Sequence, residues 1–585
     1  WSLQTHGRFI HQNFKPIERL YTIEFDRDWN VLATQGNQSL ISIGVSAQPN
    51  ENSNINYTAE RLEYTDSYQG IRQNITIDYK SKNWKATTQT SYLNADATAQ
   101  RTNILRSNNE AKYSWKKYWT GARLSLEDYR IKDKTTKFYD PISQSYWQSD
   151  VFIGRGDSAR MNIELGWITR ANDSIYNQKL LSSTQSNAWY IKSQLLKTQT
   201  SELSVYANYR ILDYLHQELP NDQSLNSRIV YTDRFLKEFV QWSTIYETTS
   251  GSIAQQEFTY IQVEPGLGTH MWNDYNENGI QELEEFEIAP YPDQAIYVRM
   301  MLPNQNYLRT HQNKWTQLVN VGFTKWQNEK DWKKIASKFH IQFSWISEKH
   351  FIKEEGKLTL NPFENDENRL VAMNESLRSS LYYNRGKQQH STTYSYIKNR
   401  TKNVLTFGSL DNALTTHQLQ YSHLMQKTWL SEMSFSYDQS QSISENYDTK
   451  NYLIDGISLH PKISYLFSKN ARLQFFYEFS DKKNTQGLES LTQHRLGTQL
   501  LFQSEKSFNI NGEFSFYQNK FEGNPYSAVA YQLLEGLQPG KNMTWRLMLQ
   551  RNITKYLDAN INYQGRTSET SKTIHTGSIQ LRAFF

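Results

Sequence analysis

The chain has 585 residues, no cysteine, 12 Pro and 25 Gly, and 64 Lys+Arg against 59 Asp+Glu, a formal charge of +5. Without cysteine there is no disulfide scaffold, zinc finger, thiol catalysis or iron–sulfur centre. Basic residues scattered in ones and twos offer no concentrated face for nucleic acid. Aromatics reach 14%, which excludes disorder, yet hydrophobics are only 37% and mean hydropathy is −0.77, with no apolar run of the ~18 residues a transmembrane helix needs.

Residues 1–38 carry no sustained pattern and read as a periplasmic lead-in. The chain opens at Trp1 without Met or an apolar leader, so any signal peptide is expected to have been removed, or the N-terminus truncated. From 39 to 585, period-2 segments recur at intervals of about 20 residues, the signature of strands with one apolar and one polar face. Lys/Asn-rich turns flanked by aromatics join several of them: Tyr79 to Trp84, Tyr113 to Trp119 and Trp326 to Trp332. Aromatic rings at strand ends with charge just beyond suit a membrane interface, rings at headgroup level and turn in water.

The alternation is cleanest near the C-terminus. Met543, Trp545, Leu547 and Leu549 oppose Thr544, Arg546, Met548 and Gln550; Leu557, Ala559, Ile561 and Tyr563 oppose Asp558, Asn560, Asn562 and Gln564. Leu473 to Phe479 and Phe508 to Phe516 follow the same rule. The last segment, 577–585, carries Ile579, Leu581, Ala583 and Phe585 on one face and stops at the aromatic. It resembles the C-terminal signal of bacterial outer-membrane barrels and implies the barrel-assembly machinery as a partner. The expected class is therefore all-β, a large transmembrane antiparallel β-barrel of about 22–28 strands, best counted at about 26, in the bacterial outer membrane. Long insertions are expected at 264–312 and 350–368. Taking 566–573 as an outside loop and 552–556 as a periplasmic turn, strand parity puts 481–493 inside and 503–507 outside, against the usual rule.

One motif carries chemistry. Residues 274–285, Asp-Tyr-Asn-Glu-Asn-Gly-Ile-Gln-Glu-Leu-Glu-Glu, fit the twelve-residue calcium-loop template. Asp274, Asn276 and Asn278 supply side-chain oxygens, Gly279 the sharp turn, Ile280 a backbone carbonyl, Glu282 position 9 and Glu285 the bidentate carboxylate, a set suited to a structural Ca2+. Other candidates are weaker. Arg155-Gly156-Asp157 is an integrin-type tripeptide of a length common by chance. His340 and His350 read as surface or lumen residues. With no G-x-S-x-G, H-E-x-x-H or phosphate-loop pattern, no catalytic residue is assigned and a non-enzyme is expected.

Val263 to Asp274 with Phe286 to Ala295, and Gly536 to Asn542 with Tyr563 to Arg566 and Ile574 to Gly577, resemble a set of large, poorly characterised outer-membrane proteins of Bacteroidota. The resemblance implies the C-terminal barrel of a longer precursor and a place among other envelope proteins. The leading functional expectation is a non-enzymatic subunit of an envelope assembly for protein export, barrel insertion or lipoprotein surface export. The alternative is a channel or uptake barrel for a bulky solute, plugged by a partner or by the 264–312 segment. A surface adhesin is a third, minor reading. Outer-membrane lipid is the expected surrounding, and nucleic acid is not a partner.

Overall fold

The computed structural model describes residues 1–585 except 15–20, 23, 32–35, 158–159, 217–219, 256, 304–305, 355–357, 388, 406–407, 505–507 and 585. Twenty-six strands belong to one sheet and four more form a small second sheet. Every described ladder is antiparallel, as the alternation predicts. The α-helices among the described residues are short: α1 (Phe25–Trp29), α2 (Asp331–Ala336) and α3 (Ala528–Leu534). Phe585, the terminal aromatic of the assembly signal, lies outside the described residues; the strand before it runs Ile574–Ala583. Among the described residues that last strand pairs only with Leu557–Ser568, and the first, Ser2–Ile10, only with Gln38–Asn50.

The chain divides into two compact units: Trp1–Tyr231 with Glu247–Ser250 and Glu354–Leu358, and Thr232–Tyr246 with Gly251–Lys353 and Thr359–Phe585. In the first unit each strand pairs with the next in sequence. Two-residue turns join some of them, as between Trp115 and Tyr118, where Lys116 takes φ 55°. Such turns match the twist of the strands they connect. Within 1–38, Ser2–Ile10 joins the sheet with Ser2 opposite Ser46. Past it, α1 seats Trp29, 1% exposed, against Leu62, Tyr68, Leu93, Ala95 and Ile104. The Arg72 guanidinium lies 4.5 Å from its ring centre and Asn30 donates to Thr102 Oγ1 at 2.7 Å.

In the second unit the strands from Tyr307–Gly322 to Ile574–Ala583 run as a meander. Its faces are inverted relative to a soluble sheet. Ile457, Ile463, Phe475, Leu496, Phe514, Leu547 and Ile561 are 37–60% exposed on one face, whereas Ser380, Ser395, Ser464, Ser480 and Ser515 on the other are at most 3% exposed. Apolar area is stabilised only by leaving water, at roughly 25 cal/mol per Å². A regular band of bare Ile, Leu and Phe therefore calls for hydrocarbon against it. Rings mark the edge of that band: Trp429 meets Tyr465 edge-on at 4.9 Å, and Phe239 and Trp332 flank Trp326 at 4.8 and 5.2 Å. The connection after Trp326 is longer than the short turn expected there, since it carries α2.

From Gly408–Met425 onward, connections on the two edges of this unit differ in length. One edge carries 426–428, 467–470 and 555–556; the other carries 445–451, 485–489, 523–539 and 569–573. This corrects the parity read from sequence. Two strands, Phe508–Glu522 and Gly540–Thr554, separate 503–507 from 552–556, so both turns share an edge, and 485–489 falls with the long loops. The segment between those two strands is filled by α3. Its sequence, Ala-Val-Ala-Tyr-Gln-Leu-Leu, is apolar on most sides, and Ser527 caps it by accepting from Ala530 N at 3.1 Å. Val529, Ala530, Leu533 and Leu534 pack on Ile454 and Leu491 at the long-loop end of the polar face.

Candidate functional site: an inserted subdomain on the polar face

Three strands of the small sheet fall within the expected insertion 264–312; the fourth precedes it, and 307–312 belong to a main-sheet strand. The strands of the small sheet are Glu257–Gln262, Tyr297–Leu302, His270–Trp272 and Phe286–Ile288, in that spatial order. Tyr260 stacks on Phe286 at 4.0 Å and Tyr297 meets Phe286 edge-on at 5.0 Å, giving this sheet its own core. Gly268 is required by close approach: a Cβ there would lie 2.5 Å from the Ala295 carbonyl oxygen.

The calcium-type loop closes on itself as its sequence dictates. Asp274 accepts from Asn278 N at 3.1 Å and Gly279 N at 2.8 Å, Asn276 Oδ1 from Asn278 N at 3.0 Å, and Asn278 Oδ1 from Ile280 N at 2.6 Å. Gly279 adopts φ 71°, the left-handed turn expected of it. The two glutamates are engaged elsewhere. Glu282 accepts from Asn276 Nδ2 at 2.7 Å, and Glu285, 1% exposed, accepts from Trp272 Nε1 at 2.7 Å and Tyr275 N at 3.1 Å. Donor chemistry fits a hard cation, all oxygen. Among the described residues, however, no group of three or more His, Asp or Glu is gathered to hold a metal.

Sequence reasoning missed the contacts that hold this subdomain to the sheet. Arg566, on the polar face of Leu557–Ser568, donates from both Nη atoms to the Asp293 carboxylate at 2.6 and 2.7 Å, and its guanidinium lies 4.0 Å from the Tyr291 ring centre. Lys450 reaches Glu287 at 2.8 Å. Tyr531 of α3 donates to the Ile288 carbonyl at 2.7 Å, and Gly536 touches Pro290, where a Cβ would sit 2.4 Å from Cγ. The Arg566 hydrogen bonds hold the Asp293 carboxyl below its ordinary range, and burial pushes the Tyr291 and Tyr531 hydroxyls up.

Beneath the subdomain the polar face carries a charge ladder. Arg495 bonds Glu478 at 3.2 Å and Glu513 at 2.7 Å, and its guanidinium is 4.9 and 5.2 Å from the Phe476 and Tyr517 ring centres. A cavity of about 420 Å³ lies between this ladder, α3 and Tyr291. The Pro290–Asp293 turn thus reaches among the polar-face side chains of the wall. The remaining sequence candidates are unremarkable: Arg155-Gly156-Asp157 ends a paired strand, and His350 lies 3.4 Å from Glu348.

No protein-family model and no curated protein sequence matches the chain. Solved structures do. It is similar to the siderophore receptor PirA from Pseudomonas aeruginosa (8% identity, 88% of this chain and 77% of that one, TM-score 0.28). It is also similar to the outer membrane transporter YddB from Escherichia coli (9%, 93% and 83%, 0.29) and to the copper transporter OprC (8%, 94% and 85%, 0.31). By name these are a receptor and two transporters. At such identities and TM-scores no substrate or mechanism is carried over. The chain has the strand pattern of an outer-membrane β-barrel protein, and its inverted sheet faces call for hydrocarbon against them. The expected export, barrel-insertion or lipoprotein-export subunit is corrected: the chains it is similar to are transporters and receptors. The long insertion on which that reading leaned folds onto its own wall instead of standing free for a partner.

Proposed function

We propose that this protein is an uptake barrel for a bulky solute and that its own insertion, within 264–312, serves as the plug. The observation that carries this reading is the Asp293–Arg566 pair, which fixes an inserted subdomain to the face a barrel turns toward its lumen. Barrels of more than about 20 strands leave a lumen unless something fills it, and the main sheet has 26. Proteoliposome swelling tests the proposal. Asp293→Asn with Arg566→Gln should admit oligosaccharides faster than wild type; equal rates would refute a plug held by this pair.

A structural Ca2+ in 274–285 belongs to the same proposal. Asp274, Asn276, Asn278 and the Ile280 carbonyl supply the oxygens, with Glu282, and Glu285 would leave Trp272 and Tyr275 to join them. The spacing and the Gly279 turn support it. Among the envelope proteins of Bacteroidota is where this reading puts the protein, and the sequence resemblance at 263–295 and 536–577 is what supports it. Segment 577–585 is the stretch offered to the barrel-assembly machinery, and lipid covers the apolar face.

A further inference from the structure

A second polar-face cavity, of about 770 Å³, lies at the short-turn end of the second unit, and the subdomain takes no part in it. Its walls are unusually basic. Lys334 and Lys338 reach it from α2 and the residues just after it, and Arg385 and Lys387 from the turn beyond Leu370–Tyr383; among the described residues the one lining carboxylate, Glu238, is already paired with Lys325 at 2.6 Å. Among the described residues none of the four cations has a carboxylate within ion-pairing distance. All four are exposed, and two lie near rings: the Arg385 guanidinium is 4.8 Å from the Tyr382 ring centre and Lys338 Nζ 5.7 Å from that of Tyr383. Asn384 at φ 55° and Gly386 at φ 74° form a tight turn that presents Arg385 and Lys387 together. Trp326 stacks with Phe323 at 5.1 Å and meets Phe239 at 4.8 Å, fixing the connection that carries α2. His340 lines the same space, its Nδ1 side against Gly322, where a Cβ would sit 2.9 Å away, and its buried Nε2 has no hydrogen-bond partner.

Cations that share one cavity wall without carboxylate partners repel one another, and a multiply charged anion relieves that repulsion while accepting their hydrogen bonds. We propose that this cavity is a binding site for a phosphate-type polyanion, held by Lys334, Lys338, Arg385 and Lys387, with His340 as a further donor. The site stands on its own cavity and holds whether or not the barrel conducts solute.

Binding is measured on the purified full chain in neutral detergent, with inorganic pyrophosphate as the probe by calorimetry and native mass spectrometry for retained anionic lipid. The comparison is a variant with Lys334→Gln, Lys338→Gln, Arg385→Gln and Lys387→Gln, checked for folding by heat-modified electrophoretic mobility, and a Lys325→Gln control. Pyrophosphate binding weakened at least tenfold in the fourfold variant, unchanged in the control, supports a site for a soluble anion. Anionic lipid displaced by pyrophosphate and absent from the variant supports the same site with a headgroup as its source. If a folded fourfold variant matches wild type in both measurements, or wild type binds neither, the proposal is overturned.

Discussion

Arg566 and Asp293, 273 positions apart in sequence, meet in a two-pronged pair at 2.6 and 2.7 Å, with the Tyr291 ring 4.0 Å from the same guanidinium. The pair is largely shielded, the side chains being 15% and 28% exposed. It therefore contributes more than the fraction of a kcal/mol expected of a solvent-exposed ion pair. Arg566→Gln keeps a hydrogen-bond donor and removes the fork. Its expected effect is to loosen the subdomain by about 1–3 kcal/mol. Limited proteolysis of the folded barrel should then cut within 264–302 faster than in wild type while the strands stay protected. Equal cleavage rates would remove Arg566 from the clamp.

Acid should loosen the same subdomain in two stages. His270 is held below its ordinary pKa, chiefly by burial and then by Arg299 and Lys450 nearby, and its ring meets Tyr260 edge-on at 5.0 Å. The folded form prefers the neutral imidazole, so stability is lost as pH falls from about 6.5 toward the depressed value and the unfolded chain takes up the proton first. Asp293 is also held low, by Arg566, and its contribution is lost only below the ordinary carboxylate range near 4. Hydrogen exchange of 257–302 at pH 7.5, 6 and 5 should show protection falling between the first and last. A His270→Gln chain should lose that dependence and, taken on to about pH 3, keep the loss that Asp293 brings below about 4.

If Ca2+ pins the 274–285 loop, chelation should open the insertion to protease without unfolding the barrel. Asp274→Ala with Glu285→Ala should do so permanently, and in that variant added Ca2+ should restore nothing. The Glu285 change also removes the acceptor for Trp272 Nε1, so Asp274→Ala alone is the cleaner arm. Identical protection with and without chelator in wild type would eliminate the ion.

On the apolar face of the wall, Trp545 lies flat over Gly565, where a Cβ would come within 2.3 Å of the indole. Gly565→Ala is expected to push the ring off its seat and destabilise the barrel by about 1–3 kcal/mol, the usual cost of overpacking. Urea unfolding followed by electrophoretic mobility should show the lower midpoint. An unchanged midpoint would mean the ring moves freely.

Most of the barrel was legible because period-2 alternation is a local signal. Met543 to Leu549 and Leu557 to Tyr563 fall inside strands with the faces assigned from sequence, and the best count of 26 is one above the 25 main-sheet strands from Gln38 onward, the twenty-sixth being Ser2–Ile10 in the segment read as a lead-in. What escaped was non-local or aperiodic. The α3 helix is seven residues of mostly apolar character, too short for helical spacing to stand out, and missing it reversed the loop parity. The α1 helix is shorter still, and its single buried Trp29 gave no pattern within 1–38. The 274–285 template could be read because its spacing is fixed by the turn it makes. Asp293 and Arg566 could not be paired from sequence, since nothing in either segment states which wall the insertion would lie against.

Single-channel conductance in planar bilayers tests the central claim most directly, comparing wild type with a chain in which residues 264–302 are replaced by a short Gly/Ser linker. A plug held on the polar face gives a wild type that is closed or weakly conducting and a deletion that forms a large, stable pore. Equal conductance from the two, whether open or closed, would contradict the account, because the insertion would then obstruct nothing.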